Sequence, residues 1–338
     1  MPSPTYESTF VHLSAQSYNG GMEPYYDFLR LLVAMLCNEG GIPGKARLAE
    51  LAYHLNDEQR RGLQRLAAAA GRLDDAAIVA ELSVEQFQAQ WLRRFGASNP
   101  EQMDMPFWVF MVQRGWNAYT ARKQFNVAYR QYMDAFSELR RREEAGEVVP
   151  DDPELPFPPR YEAPIWCFER FGMALTRLPD GRALFIAGEH EDFSDPDFCI
   201  YNDVIVIDPE LRVTIYGYPA EVFPPTDFHT ATLVGETVVY LIGNLGYPDD
   251  RRSGETQVYR LDTTTMQISP VDTTGAPPGW ISGHSAAYDA ARNAIMVSGG
   301  QIFTGKRRKG SWRDNRRSFW LNLTTLAWSR RQPSITEG

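Results

Sequence analysis

The sequence is poor in cysteine and histidine, and it has no long apolar run. Three cysteines and five histidines occur in 338 residues. Cys37, Cys167 and Cys199 form an odd set with no CxxC spacing, which argues against a disulfide frame or a zinc site. They are expected to be buried thiols in a reducing compartment, with a Cys167 to Cys199 bridge as the alternative. The most apolar stretch, FLRLLVAMLC from Phe28 to Cys37, carries Arg30 and is about half as long as a bilayer-spanning helix. A buried helix is expected there. The opening MPSPTYESTFVHLSAQ lacks a basic segment followed by an apolar one, so no secretory signal is read and a cytoplasmic location is expected. Positive charge is also in the minority, with 34 Lys and Arg against 43 Asp and Glu and a formal net charge of -9. Neither part redresses the balance: 16 basic residues face 18 acidic ones up to residue 150, and 18 face 25 beyond it. This weighs against nucleic acid as a partner. No GxSxG elbow, P-loop or HExxH motif occurs, and no catalytic residue, metal or cofactor is expected.

The length suggests two domains, each with its own core. Residues 1–147 carry helical periodicity and few β-branched runs. Within them, SVEQFQAQWLRRFG offers a capping box in Ser83 and Gln86. A helix over about Ala118 to Ala145 aligns Phe125, Tyr129, Tyr132, Phe136 and Leu139 in one stripe. KARLAELAYHLNDEQRRGLQRL has a faint helix-turn-helix look but reads more simply as an amphipathic helical hairpin. The stretch GEVVPDDPELPFPPRYEAP has six prolines in nineteen residues, which excludes helix and central strand. Its core, residues 148–162, is read as a linker.

From residue 163 to 333 the period falls to two and the chain repeats itself. FGMALTRLPDGRALFIAGE, FHTATLVGETVVYLIGN and GHSAAYDAARNAIMVSGG each read as strand, tight turn and apolar strand ending in glycine. Gly188, Gly243 and Gly299 are aligned in this reading. A second hairpin follows in each unit, with Asp208, Asp262 and Asn322 at equivalent turn positions. TTGAPPGWISGHSAAYDAARNAIMVSGG and FWLNLTTLAW, closing on Trp328, resemble kelch repeats. The resemblance covers residues 165–332, about half the chain, and implies an α+β protein: an α-helical domain followed by a kelch-like β-propeller, incomplete or capped. Only the third unit keeps both glycines and the closing Trp; Thr214 and Ile268 stand near that place in the others. Three units are fewer than a closed ring needs. Capping by the helical domain or by a strap is expected, with joining to a second copy as the rival.

Candidate functional residues follow from the repeat. His229 and His284 recur at one blade position, with Gly172 at about that place in the first unit, and are read as structural. Some kelch-type propellers are copper-radical oxidases, but here the recurring histidines are accounted for by the repeat. Others modify sugars through Arg, Glu and His, a role for which Arg170, Glu189, His190 and Arg260 are candidates. The loops between second and third strands form a charge series. The first holds Glu189, Glu191, Asp192, Asp195, Asp197 and Asp203 with no Lys or Arg. The third packs Lys306, Arg307, Arg308, Lys309, Arg313, Arg316 and Arg317 around Trp312, against one acid, Asp314. These two sets are the candidate partner-binding residues, and Phe303 and Trp312 the candidate apolar anchors. The function expected is a non-enzymatic protein-binding module of the inhibitor or immunity type, acting on a basic partner such as a toxin or nuclease. A sugar-modifying enzyme, and phosphate or nucleic acid binding by the basic loop, residues 306–317, are the alternatives.

Overall fold

The computed structural model describes residues 82–114, 118–125, 127–147, 163–168, 170–190, 198–208, 212–305 and 312–330. Most of the expected N-terminal helices, Cys37 and the 148–162 linker lie outside these residues. The described part is mainly antiparallel β-sheet with a few helices. None of these helices is long and apolar enough to cross a membrane.

Helix α1 (Val84–Gln90) starts where its sequence says it should. Ser83 Oγ accepts from Gln86 N–H at 3.2 Å, and Gln86 Oε1 accepts from Ser83 N–H at 2.9 Å, so the capping box is closed. After it come β1 (Glu101–Gln102), α2 (Pro106–Arg114), α3 (Ala118–Phe125) and α4 (Val127–Glu144). The helix expected over Ala118 to Ala145 is described as helix on both sides of residue 126, which lies outside the described residues. Phe125 of its proposed stripe is buried, and the side chains of Tyr129, Tyr132 and Phe136 lie outside the description.

Three sheets with one plan follow. The first is β2 (Ala174–Arg177), β3 (Ala183–Ile186), β6 (Val204–Ile207) and β7 (Val213–Gly217), each antiparallel to the next. The second is β8 (Thr230–Val234), β9 (Val238–Ile242), β10 (Val258–Asp262) and β11 (Ile268–Pro270). The third is β14 (Ser285–Asp289), β15 (Ala294–Ser298), β18 (Phe319–Asn322) and β19 (Ala327–Ser329). Strand β2 adjoins β8, and β8 adjoins β14, so the first strands stand side by side. Among the described residues the sheets do not close into a ring.

Register corrects the alignment of the repeats. Ala174 pairs with Ile186, Thr230 with Ile242 and Ser285 with Ser298. Ala187, Gly243 and Gly299 are therefore equivalent, and Gly188 matches Asn244 and Gly300. All of the first three have positive φ, and Ala187 bears this at some cost in strain. Met173, not Gly172, matches His229 and His284. In the second hairpins Ile207 pairs with Val213, Leu261 with Ile268 and Leu321 with Trp328. The residue matching Trp328 in the first unit is therefore Val213 rather than Thr214. Asp262 and Asn322 do hold equivalent turns: Asp262 Oδ1 accepts from Thr264 N–H, and Asn322 Oδ1 accepts from Thr324 and Thr325 N–H.

Burial explains the order of the sheets. One face of the first sheet, with Phe185, Ile205 and Ile215, shares a core with Phe87, Phe107, Trp108, Met111 and Phe125 of the helices. Its other face, with Leu184, Ile186, Val204 and Val206, packs on Val239, Leu241 and Leu261 of the second. The second sheet then offers Tyr240, Ile242 and Val258 to Ile295, Val297, Phe319 and Leu321 of the third. On the far side of the third sheet, the residues matching Ile242 and Val258 are Ser298 and Ser318. No hydrophobic cluster of described residues covers that face.

The segment 96–103 lies along the outer strands. Gly96 N–H donates to Tyr218 C=O and Met103 N–H to Ile215 C=O, while β1 pairs with β7. Asn99 imitates a strand for the second sheet: its Nδ2 donates to Ile268 C=O at 2.7 Å and its Oδ1 accepts from Ile268 N–H at 2.9 Å. Two sheet edges that could template pairing with other chains are covered in this way.

Candidate functional site

The loops between the second and third strands leave the sheets at the end opposite the Asp208, Asp262 and Asn322 turns. In the first unit, β4 (Glu189–His190) and β5 (Cys199–Ile200) form a short hairpin under the acidic loop. In the third, β16 (Gln301–Phe303) pairs with β17 (Trp312–Asp314) under the basic loop, and β13 (Ile281–Ser282) pairs with β16. The second unit has no such hairpin and instead sends residues 244–256 between the other two.

That middle loop braces both neighbours. Tyr247 packs edge-on against Phe198 at 5.7 Å, and its hydroxyl accepts from Ile200 N–H at 2.9 Å. Toward the third unit, Arg251 lies over the Trp312 ring at 5.1 Å, and Trp280 Nε1 donates to Leu245 C=O at 3.1 Å. The described bases of the acidic and basic loops are thus separated by the 244–256 loop. Phe303 and Trp312, the candidate anchors, pack on each other at 5.4 Å and are half-buried. Arg313, Arg316 and Arg317 are exposed on the same end. Lys306, Arg307, Arg308 and Lys309, like Glu191, Asp192, Asp195 and Asp197, lie outside the described residues.

Glu189 is half-buried, and its backbone pairs with that of Phe171; Asp227 is a residue the sequence patterns do not single out. Asp227 is fully buried. Burial raises its pKa above the usual carboxylate range, against the opposing pull of Gly246 N–H, Glu189 and Arg251. Burial also lowers the Arg251 pKa, while Asp227 and Glu189 favour its charge. Arg251 Nε and Nη2 donate to the carbonyls of Leu245 and Gly246. The clue to Asp227 is its departure from the repeat: its counterparts are Phe171 and Ser282.

Of the sugar-site candidates, Arg170, Glu189 and His190 lie on adjoining segments, since Phe171 pairs with Glu189, while Arg260 lies apart on the second sheet. Arg170 is buried against Asp203 in an ion pair, beneath Tyr201 and Trp166; Trp166 Nε1 also donates to Asp203 Oδ2 at 2.8 Å. This network fastens the 163–170 segment to the first sheet. Arg260 sits on β10 and reaches Asp262 at 3.4 Å. Cys167 and Cys199 are buried thiols that form no disulfide with each other, and the Tyr201 hydroxyl lies 4.0 Å from Cys167 Sγ.

The recurring histidines are buried between first strands. His284 Nε2 meets Thr230 Oγ1 of the preceding unit at 3.0 Å. The matching neighbour of His229 is Ala174, which has no hydroxyl, and neither ring nitrogen of His229 has a partner among the described residues. Burial lowers the His229 pKa to about 3, with His284 adding to the shift, and lowers that of His284 to about 4. A groove of about 440 Å³ lies elsewhere, between α1, α2 and β7, lined by Gln86, Met105, Val109 and Val213.

No protein-family profile matches the chain, and no curated protein does. Among solved structures, one titled "Structure of YjhT" aligns over 52% of this chain with 13% identity and a TM-score of 0.31. The chain spans about half of that structure's length, 52%.

Proposed function

We propose that the three sheets are divergent kelch-type propeller blades, capped by the helical segment, and that the chain is a non-enzymatic protein-binding module. The binding face is the loop end of the sheets. The observation that carries this reading is the bracing of the bases of two oppositely charged loops by the middle loop between them, through Tyr247 and Arg251. Variable loops on a rigid repeated scaffold suit recognition of another protein. Half-buried Trp312 and exposed Phe198 provide apolar contact area beside arginines, the mixture found at binding hot spots. The chain's net charge of -9 favours a basic partner, and an inhibitor of a basic toxin or nuclease fits that chemistry.

A pull-down from native extract tests the reading, comparing the natural protein with one in which Lys306, Arg307, Arg308 and Lys309 are Ser. The natural protein retains a partner at stoichiometric yield, and the variant loses it while keeping its sedimentation mass and melting temperature. A change in mass without any partner points instead to closure of a ring or dimer by this loop. Turnover of a sugar with no stoichiometric partner overturns the reading in favour of an enzyme.

A further inference from the structure

Among the described residues four large hydrophobic side chains are exposed, by 36% to 44%: Leu92, Phe95, Phe171 and Phe198. All four are tied to the first unit's hairpin. Phe171 pairs with Glu189, and Glu189 with Ile200, so these three stand in one row across a short ladder. Phe198, two positions before Ile200, falls on the same face by strand alternation. The opposite face is the buried one, with Arg170, His190 and Cys199. Leu92 and Phe95 belong to the segment after α1, which Arg93 joins to the hairpin: its Nη1 donates to Ile200 C=O, and its guanidinium lies over the Phe95 ring at 4.7 Å. Tyr247 holds the hairpin from the second unit, with its ring against Phe198 and its hydroxyl on Ile200 N–H. The patch is therefore preformed, whereas the aromatic pair under the basic loop, Phe303 and Trp312, is half-buried against itself.

Charge decides what such a patch can take. Glu189 stands in the row between Phe171 and Ile200, and the chain joining His190 to Phe198 adds Glu191, Asp192, Asp195 and Asp197 with no Lys or Arg. The nearby cations are engaged, Arg93 by the Phe95 ring and the Ile200 carbonyl, and Arg251 by Trp312 and the Leu245 and Gly246 carbonyls. We propose that this patch is an interaction surface for a partner segment in which apolar side chains are flanked by Lys or Arg. The apolar groups lie against Phe198 and Phe95, while the basic neighbours meet the carboxylates and the ring faces. The proposal rests on reading the chain as a protein-binding module and names the partner chemistry that its acidic side selects.

Fluorescence anisotropy of the full chain with short labelled peptides tests the patch, using repeats of Lys-Leu, Lys-Ser and Glu-Leu as probes. The Lys-Leu peptide is expected to bind about tenfold more tightly than either of the others, and Phe95→Ser with Phe198→Ser to remove that advantage. Both rings are exposed, so the double variant keeps its melting temperature. Equal binding of the Glu-Leu or Lys-Ser peptide by the natural protein, a comparison that needs no variant, overturns the proposal, and so does full binding by the double variant. A sedimentation mass that rises with concentration, and falls back to one chain in Phe198→Ser, makes a second copy the occupant and overturns it as well. Replacing Lys306, Arg307, Arg308 and Lys309 by Ser is expected not to weaken the peptide complex. No native partner is present in this experiment, so the patch can fail while the basic-loop pull-down succeeds, and the reverse.

Discussion

His229 shows how one atom missing from one unit changes the chemistry of the next. His284 meets Thr230, and His229 meets the place where Ala174 has no hydroxyl. Ala174→Thr supplies the missing group, on a residue type that suits a strand. We expect the variant to gain about 1 kcal/mol in chemical denaturation. An unchanged midpoint contradicts the assignment of that position. The pH response of the two histidines is also fixed. Both are held below the ordinary imidazole value, at about 3 and about 4. The unfolded chain therefore binds more protons below about pH 6.5, and stability falls as the pH is lowered toward those values. His229→Gln removes part of that fall, which a series of melting curves against pH reads directly. The buried Arg170 and Asp203 pair has the opposite lesson: Asp203→Ala leaves an uncompensated guanidinium in the core and is expected to cost about 3 to 5 kcal/mol in denaturant unfolding.

Among elements, what the sequence makes legible is what is local. The capping box at Ser83 and Gln86 lies within one turn, and the Asp262 and Asn322 turns within four residues. Their partners are fixed by chain geometry before any packing is known. Asn99 and Ile268 meet across 169 positions, and nothing in either residue's neighbours announces the contact. The bond from Gly246 N–H to Asp227 Oδ1 is hidden for the same reason. The alignment of Gly188 with Gly243 slipped by one because glycine was the marker, whereas strand register ties Ala187 to that place. Asn99→Ala tests the edge cover: it strips both hydrogen bonds from the partly buried Ile268 backbone. A loss of about 1 to 3 kcal/mol is expected, together with faster aggregation from the uncovered β11 edge. Unchanged stability and solubility contradict the role given to the segment 96–103.

For the whole molecule, the helices cover one side of the sheet series, and the third sheet turns Ser298 and Ser318 outward where the second has Ile242 and Val258. The same face also carries Met296 and Trp320, so the two serines make it less apolar at those positions than the matching face of the second sheet, which weakens its pull on a further repeat. Replacing both serines by the second unit's residues, Ser298→Ile with Ser318→Val, is expected to raise the sedimentation mass through face-to-face association. A mass that stays the same argues that this face is not where the series ends. At this scale the described bases of the three loops stand at one end of the sheets, joined through Tyr247 and Arg251.

That end is what a partner should cover. The most direct measurement is a hydrogen-exchange footprint on the stoichiometric complex recovered from native extract. The account predicts added protection in residues 189–200, 244–256 and 301–317, and none at the Asp208, Asp262 and Asn322 turns at the other end of the same sheets. Protection confined to those turns, or to the groove beside α1 and α2, contradicts it.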